Sequence, residues 1–373
     1  MPHDSRARQR LTCVPAGLAT LSLMLACVDP TTTAPAAVLS APASAIVAAG
    51  PTAVAIGNII GYGVNDAGIV VGPSDGNKSG AYMWSSATGL KLLGAGGIAW
   101  DVSQDGLAVG GKNAAGVPVL WTSSTVAGAR AEVIIPDSGF GGAVRAMVSS
   151  GSGAPVLMTG NVFVNGSNKR PARWTPCTAE SGCLNGWLLT TVPLSSPITE
   201  AWGQDINPSG MIVGMEGSGC CRAAFWGADG SQTVLDPIPG GTQASAWGIN
   251  DAGTVIVGQS GGVAVMWIRE STATVFGAPT RLEPTACKGA GSSIAYAVNA
   301  DLVTTGTVVG QACGLPVAWK VNVAVPPAIT QRIVLPSPGR STSGVAQSIN
   351  RSTSASHRIA GQVNGAGVYW TNF

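Results

Sequence analysis

Three observations predict an all-β fold, a seven-bladed β-propeller with four antiparallel strands per blade. A nine-residue pattern built on an Asn/Ser-x-x-Gly turn recurs along the chain, and a tryptophan follows it at intervals of 37 to 53 residues. A further short apolar run usually comes after that tryptophan. Four short strands in units of about 40–50 residues is the rhythm of propeller blades. Composition agrees: 52 of 373 residues are Gly and only 10% are charged, yet 45% are apolar, enough to build a core. Disordered chains lack that apolar share, and the Gly has no every-third-residue period, which excludes collagen.

The innermost strand of each blade is expected to end at the Asn or Ser. The clearest copies are Val64–Gly72, Val102–Gly110, Ile206–Gly214 and Ile249–Gly258, with weaker ones at Val148-Ser149, Val298-Asn299 and Ile349-Asn350. Asn or Ser at the first turn position and Gly at the fourth suit a type I turn, and Pro208 falls where its fixed φ fits. The second strand then runs to the closing Gly. The third ends at Trp84, Trp121, Trp174, Trp226, Trp267, Trp319 or Trp370, so seven of the eleven tryptophans share one repeat position. The fourth is expected around Leu90–Leu93, Val133–Ile135, Leu188–Val192, Val234-Leu235, Leu282 and Ile333–Leu335. No such run follows Trp370. The segment Ala45-Ile46-Val47 is expected to supply that outer strand and close the ring, removing free edges. A parallel β-helix is the rival architecture, but its coils are shorter and lack the four-strand rhythm.

The repeats resemble the bacterial extracellular HAF-repeat family, whose units read roughly Ile-Asn-x-x-Gly-x-Ile-Val-Gly followed by Ala-Phe-x-Trp. Ile206–Gly214 and Ile249–Gly258 match the first half and Ala224-Phe225-Trp226 approximates the second, although the His-Ala-Phe tripeptide is absent. The resemblance spans about residues 45–373 and implies export and a propeller, without an established activity.

Residues 1–26 read as an export signal: Arg6, Arg8 and Arg10, then an uncharged stretch broken by Pro15 and Gly17. Such a stretch is too interrupted for a membrane span of about 20 residues. Its end, Leu23-Met24-Leu25-Ala26-Cys27, resembles a bacterial lipobox, which implies Cys27 as lipid acceptor; an ordinary signal peptide is the alternative. Val28 rather than Asp after that Cys implies, by the same resemblance, the outer membrane. Residues 27–44 are Thr/Ala/Pro-rich, as an extended tether would be. Removal of residues 1–26 takes Asp4 and three Arg from 18 acidic and 20 basic residues, leaving the two signs equal. A neutral surface does not attract phosphate backbones, so nucleic acid is not an expected partner, and contact with a membrane is expected only through the anchor. A monomer is expected.

Six cysteines remain beyond Cys13 and Cys27, and export permits disulfides. Cys177 and Cys183 lie together in one loop after Trp174, whereas Cys287 and Cys313 fall in loops on one face of adjacent blades; pairs 177–183 and 287–313 are expected. The adjacent Cys220 and Cys221 are left as a vicinal disulfide, two thiols, or partners of Cys287 or Cys313. No Cys/His spacing points to zinc, the Asn-Asp-Ala-Gly turns lack the acidic ligands of a calcium loop, and no cofactor is expected.

Innermost strands surround the channel of a propeller, so chemistry is sought there. Tyr62, Trp100, Trp247 and Tyr296 stand three residues before the Asn/Ser, and Trp202 stands five before, through a local insertion. These rings can stack on sugars or pack between blades. Asp101 and Asp205 share the position two before, with Arg145 on the strand between. They can serve as acid and base in glycoside cleavage, or form an Asp–Arg–Asp ion network, the reading favoured here. His357, the lone histidine of the exported form, lies in a polar loop and gives no catalytic triad. The expected function is a noncatalytic binding or scaffolding module for a glycan or protein ligand. The alternatives are a glycoside hydrolase or lyase with channel carboxylates, and a structural surface spacer.

Overall fold

The computed structural model describes residues 50–372, apart from segments 75–79, 124–129, 151, 195–197, 218–220, 271–272, 284–286, 288–291, 300–301, 303, 325, 340–342 and 352–356. Residues 1–44, where an export signal and a tether are expected, with Cys27, the segment 45–47 and Cys220, lie outside the described residues. Residues 48–373 form one compact unit. It consists of seven sheets, each of four antiparallel strands in meander order, with no helix among the described residues.

Blades 1 to 6 run in chain order. Their innermost strands are Gly63–Val64, Ile98–Val102, Gly142–Ser149, Ala201–Ile206, Ala244–Ile249 and Ser293–Val298. Blade 7 takes its inner three strands, Gly344–Ile349, Ile359–Val363 and Ala366–Thr371, from the end of the chain. Its outer strand is Thr52–Gly57, which pairs with Ala366–Thr371, Ala53 facing Trp370 and Thr52 facing Thr371. Ring closure by an N-terminal strand is therefore correct, but the strand lies later than Ala45-Ile46-Val47. The reason is reach: from Gly57 only residues 58–62 are needed to enter the innermost strand of blade 1, a connection as short as the others in the ring.

Each repeated residue has a distinct mechanical task. The turn asparagines are buried: Asn65, Asn207 and Asn250 are 0% exposed. The Asn250 side-chain oxygen accepts the N–H groups of Thr254 and Val255, both at 2.9 Å, closing its own turn. Its amide donates to the Leu302 carbonyl of the next blade at 2.8 Å. Asn65 does likewise to Ser103, and Asn207 to the Asp251 carbonyl. Asn350 reaches the Asp66 carboxylate at 2.8 Å, joining blade 7 to blade 1. Ser103 takes over the turn role in blade 2, where its hydroxyl accepts the Ala108 N–H at 2.9 Å.

The tryptophans seal the outer half. Six of the seven are fully buried, Trp84 being half-buried. The indole N–H of Trp174 donates to Pro136, that of Trp267 to Asp236 and that of Trp370 to Pro336, each at 2.7 Å and each on the exit from the preceding blade's outer strand. Trp319 instead donates to the Glu283 carboxylate at 2.9 Å, which also accepts from Arg332 at 2.7 Å. Burial of such large rings supplies much of the interblade adhesion.

The two expected disulfides are present, Cys177–Cys183 within blade 3 and Cys287–Cys313 between the exit of blade 5 and a hairpin of blade 6. The second closes a span of 26 residues and constrains the unfolded chain by about 3 kcal/mol.

Candidate functional site

The innermost strands do not pair evenly with their neighbours. In blade 2, Ala99 faces Gly111 and Asp101 faces Gly110, so Trp100 is squeezed out of register. The same break skips Arg145 in blade 3, Gln204 in blade 4, Trp247 in blade 5, Tyr296 in blade 6 and Gln347 in blade 7. In blade 1, Tyr62 holds the equivalent place, directly before Gly63, which pairs with Val71. A bulge redirects a side chain. Here it turns one residue per blade toward the axis.

A glycine makes room for each bulge. A Cβ on Gly214 would strike the carbonyl oxygen of Trp202, and one on Gly111 the carbonyl of Ile98; the second strands of the other blades repeat this approach. The second strand consequently does not stop at its glycine, as the sequence pattern suggests, but continues past it, to Glu216 in blade 4 and Ser260 in blade 5.

The seven bulged residues, Tyr62, Trp100, Arg145, Gln204, Trp247, Tyr296 and Gln347, all line a central cavity of about 360 Å³. Each is half-buried, between neighbours that are mostly buried. Trp247 and Tyr296 meet edge to face, their ring centres 5.4 Å apart, and the Trp247 indole is steadied by Ser245 at 3.0 Å. On the other side of the ring, in blades 2 and 3, the Arg145 guanidinium lies 4.4 Å above the Trp100 ring. Burial raises the pKa of the Tyr62 and Tyr296 phenols, so both stay protonated donors.

Four of the five aromatic residues singled out from the sequence thus line the cavity, and Trp202 does not. It stands two residues before the bulge, where the Lys169 ammonium sits 4.8 Å over its ring. There is no insertion in blade 4: the residue three before Asn207 is Gln204, and counting alone identifies it. Gln347, three before Asn350, is found the same way. Both amides escape a search for aromatic or titratable side chains.

The carboxylates adopt neither arrangement read from the sequence. Asp101 accepts the N–H of Val102 at 2.8 Å and that of Met147, on the next blade, at 2.7 Å. Asp205 repeats this with Ile206 at 2.8 Å and Ile249 at 2.9 Å. Each carboxylate bridges two adjacent innermost strands, and no ion pair joins either to Arg145. The Asp–Arg–Asp network is therefore replaced by two backbone clamps, because the bulge aims Arg145 onto Trp100 instead. Burial pushes the Asp101 carboxyl up to about 7, against the two N–H donors and the field of Arg351. Asp205 is raised by the same burial, with Arg351 opposing it.

Arg351, which motif reading passes over, crosses the ring. Its guanidinium binds the Asp251 carboxylate at 2.7 Å and the Ile206 carbonyl at 3.1 Å, linking blade 7 to blades 5 and 4 at the turn end of the cavity. Contacts over 100 and 145 residues leave no local sequence signal. His357 is not among the lining residues. No group of three or more metal-ligating side chains occurs among the described residues.

No family model and no curated protein sequence matches the chain. Solved structures do. Saccharomyces cerevisiae Sqt1 superposes with a TM-score of 0.50 at 9% identity, covering 83% of this chain and 82% of that one. The Dos1 propeller gives 0.43 at 10% identity, with 86% and 94% covered. The periplasmic gluconolactonase PpgL of Pseudomonas aeruginosa gives 0.43 at 13%, with 80% and 94% covered. At such identities the likeness concerns the fold alone, and the fold is a β-propeller.

Proposed function

We propose that this chain is an exported, lipid-anchored binding module that takes a small polyhydroxylated ligand, of the sugar class, into its central cavity. The reading is carried by one observation: the position aimed at the axis in every blade holds Tyr, Trp, Arg, Gln, Trp, Tyr and Gln in turn, while its flanks, apart from Asp101 and Asp205, stay small or aliphatic. A volume of about 360 Å³ falls in the range of small-molecule sites, which combine aromatic walls with a few polar groups. Trp247 and Tyr296 offer a face for a sugar ring. Gln204, Gln347 and the two phenols offer donors and acceptors for hydroxyl groups.

Turnover is not favoured. Acid–base cleavage of a glycosidic bond needs two carboxyl groups open to substrate, whereas all four oxygens of Asp101 and Asp205 accept backbone N–H groups. Export and anchoring rest on the leader and Cys27.

Tryptophan fluorescence and thermal unfolding, followed across a panel of mono- and disaccharides, test the binding. A saturable change that disappears in Trp247→Ala supports it; if no sugar alters either signal at millimolar concentration, the reading fails. Anchoring is tested separately by Cys27→Ser, expected to release the protein from the membrane fraction.

A further inference from the structure

The arginines of this molecule provide their own control. Arg130 donates to the carbonyls of Gly106, Leu107 and Trp121, and Arg173 to those of Gly210, Gly227 and Ala228. Arg269 finds Gly253, Arg332 finds Glu283, and Arg351 finds Asp251 and Ile206. Arg145 differs. It lies in the cavity wall with its Nε buried and bonded to no protein acceptor; it stacks on the face of Trp100, and the Tyr62 phenol is the one ionisable group whose field it feels. The carboxylates that line the same cavity, Asp101 and Asp205, are spent on backbone N–H groups. Burying a guanidinium without acceptors costs stability. Contact with the indole face recovers part of that and helps hold the fork in place.

From this we infer that the cavity's ligand is a monocarboxylate, a sugar acid of the uronate type, with its carboxylate held by Arg145. The inference rests on the proposed sugar-binding reading and narrows it. A planar five-donor fork matches a carboxylate in bidentate fashion. Of the two cations that line the cavity, Arg351 is paired with Asp251, so Arg145 alone is left to meet a ligand's charge, and beside Asp101 and Asp205 that suits one negative charge better than the two of a phosphate ester. The hydroxyl groups then meet Gln204, Gln347, Tyr62 and Tyr296, and the ring face turns to Trp247.

The experiment uses the purified chain and titrates D-glucuronate and D-galacturonate against D-glucose, D-galactose and glucose 6-phosphate. Trp100, beneath the guanidinium, contributes a fluorescence signal. The uronates are expected to bind about 30-fold or more tightly than the neutral sugars, the loss expected when a buried charge goes unpaired. Arg145→Gln is expected to abolish that difference, and Arg145→Lys to restore part of it. The same Arg145→Gln change is expected to leave the unfolding temperature equal or higher, since it removes a charge that no protein group satisfies. Neutral sugars binding as tightly as uronates overturn the carboxylate and leave the sugar site standing. A preference for glucose 6-phosphate overturns it as well. If no sugar, acidic or neutral, binds, both readings fall. Should Arg145→Gln not fold, the uronate-to-sugar ratio of the unaltered protein decides alone, and Arg145 is then a structural residue.

Discussion

Two rings of side chains lie three residues apart on the innermost strands, and they obey opposite rules. The turn ring is Asn65, Ser103, Asn207, Asn250, Asn299 and Asn350, with Val148 at the same count in blade 3: nearly uniform and buried, and in Asn65, Asn207, Asn250 and Asn350 hydrogen-bonded to the neighbouring turn. The bulge ring is Tyr62, Trp100, Arg145, Gln204, Trp247, Tyr296 and Gln347: varied, half-buried and facing a cavity. In a repeat protein every blade must meet the next one in the same way, so a residue that makes the interface repeats. A position turned into the cavity, out of the packing between sheets, has no such obligation and can differ blade by blade. Uniformity therefore identifies the scaffold, and variety at a geometrically uniform position identifies the site.

That contrast can be broken most severely at the glycines that permit the bulge. Gly214→Val places two methyl groups against the Trp202 carbonyl, in a contact that backbone alone can relieve. It is expected to cost about 3 kcal/mol or more, the upper range for overpacking, and to lower the unfolding temperature or prevent folding, read by circular dichroism. Next comes the turn ring. Asn250→Ala strands the Thr254 and Val255 N–H groups and the Leu302 carbonyl, and about 2–3 kcal/mol should disappear from the denaturant unfolding free energy.

A pH series tests the clamps between the two rings. Asp101 binds its proton in the folded state below about 7, whereas an unfolded Asp releases it near 3.8. Between those values the folded form holds more protons, so this group's contribution to stability rises as pH falls from 8 toward 5 and flattens below the unfolded value. Asp205 acts in the same direction. Unfolding temperatures of the protein and of Asp101→Asn, measured at pH 8 and pH 5.5, are expected to show a smaller pH dependence in the variant. The smallest effect belongs to the bulge ring: Gln204→Ala should change stability by less than about 0.5 kcal/mol. A loss as large as that of Asn250→Ala would mean the two rings do not differ in the way described.

The fold was legible because its determinants repeat. Trp121, Trp174, Trp226 and the other blade tryptophans, the turn asparagines and the closing glycines each recur, and recurrence survives without knowledge of any contact. The disulfides were legible through the fold, since loop placement on a propeller limits which cysteines can meet. The site was half legible. Tyr62, Trp100, Trp247 and Tyr296 announce themselves as aromatic residues in register, but Trp202 draws attention from Gln204 because the eye follows ring size rather than spacing. The partner of Arg145 was misjudged because a bulge changes which way a strand residue points, and no propensity encodes that. Arg351 was missed altogether, since a contact across the ring joins residues with nothing in common along the chain.

The seam between Thr52–Gly57 and Ala366–Thr371 also sets an order of events. Blades 1 to 6 are each complete within a contiguous stretch and can form as the chain emerges. The outer strand of blade 7, made first, must wait until more than three hundred further residues have arrived to bring its partner. Contacts at such separation are slow to form, because closing so long a loop costs entropy before any pairing offsets it. Until then the first strand has no edge to pair with and the last sheet has a bare one. The cavity needs all seven blades around it, so the cavity and the closed ring arrive together, and a chain cut short at either seam strand loses both.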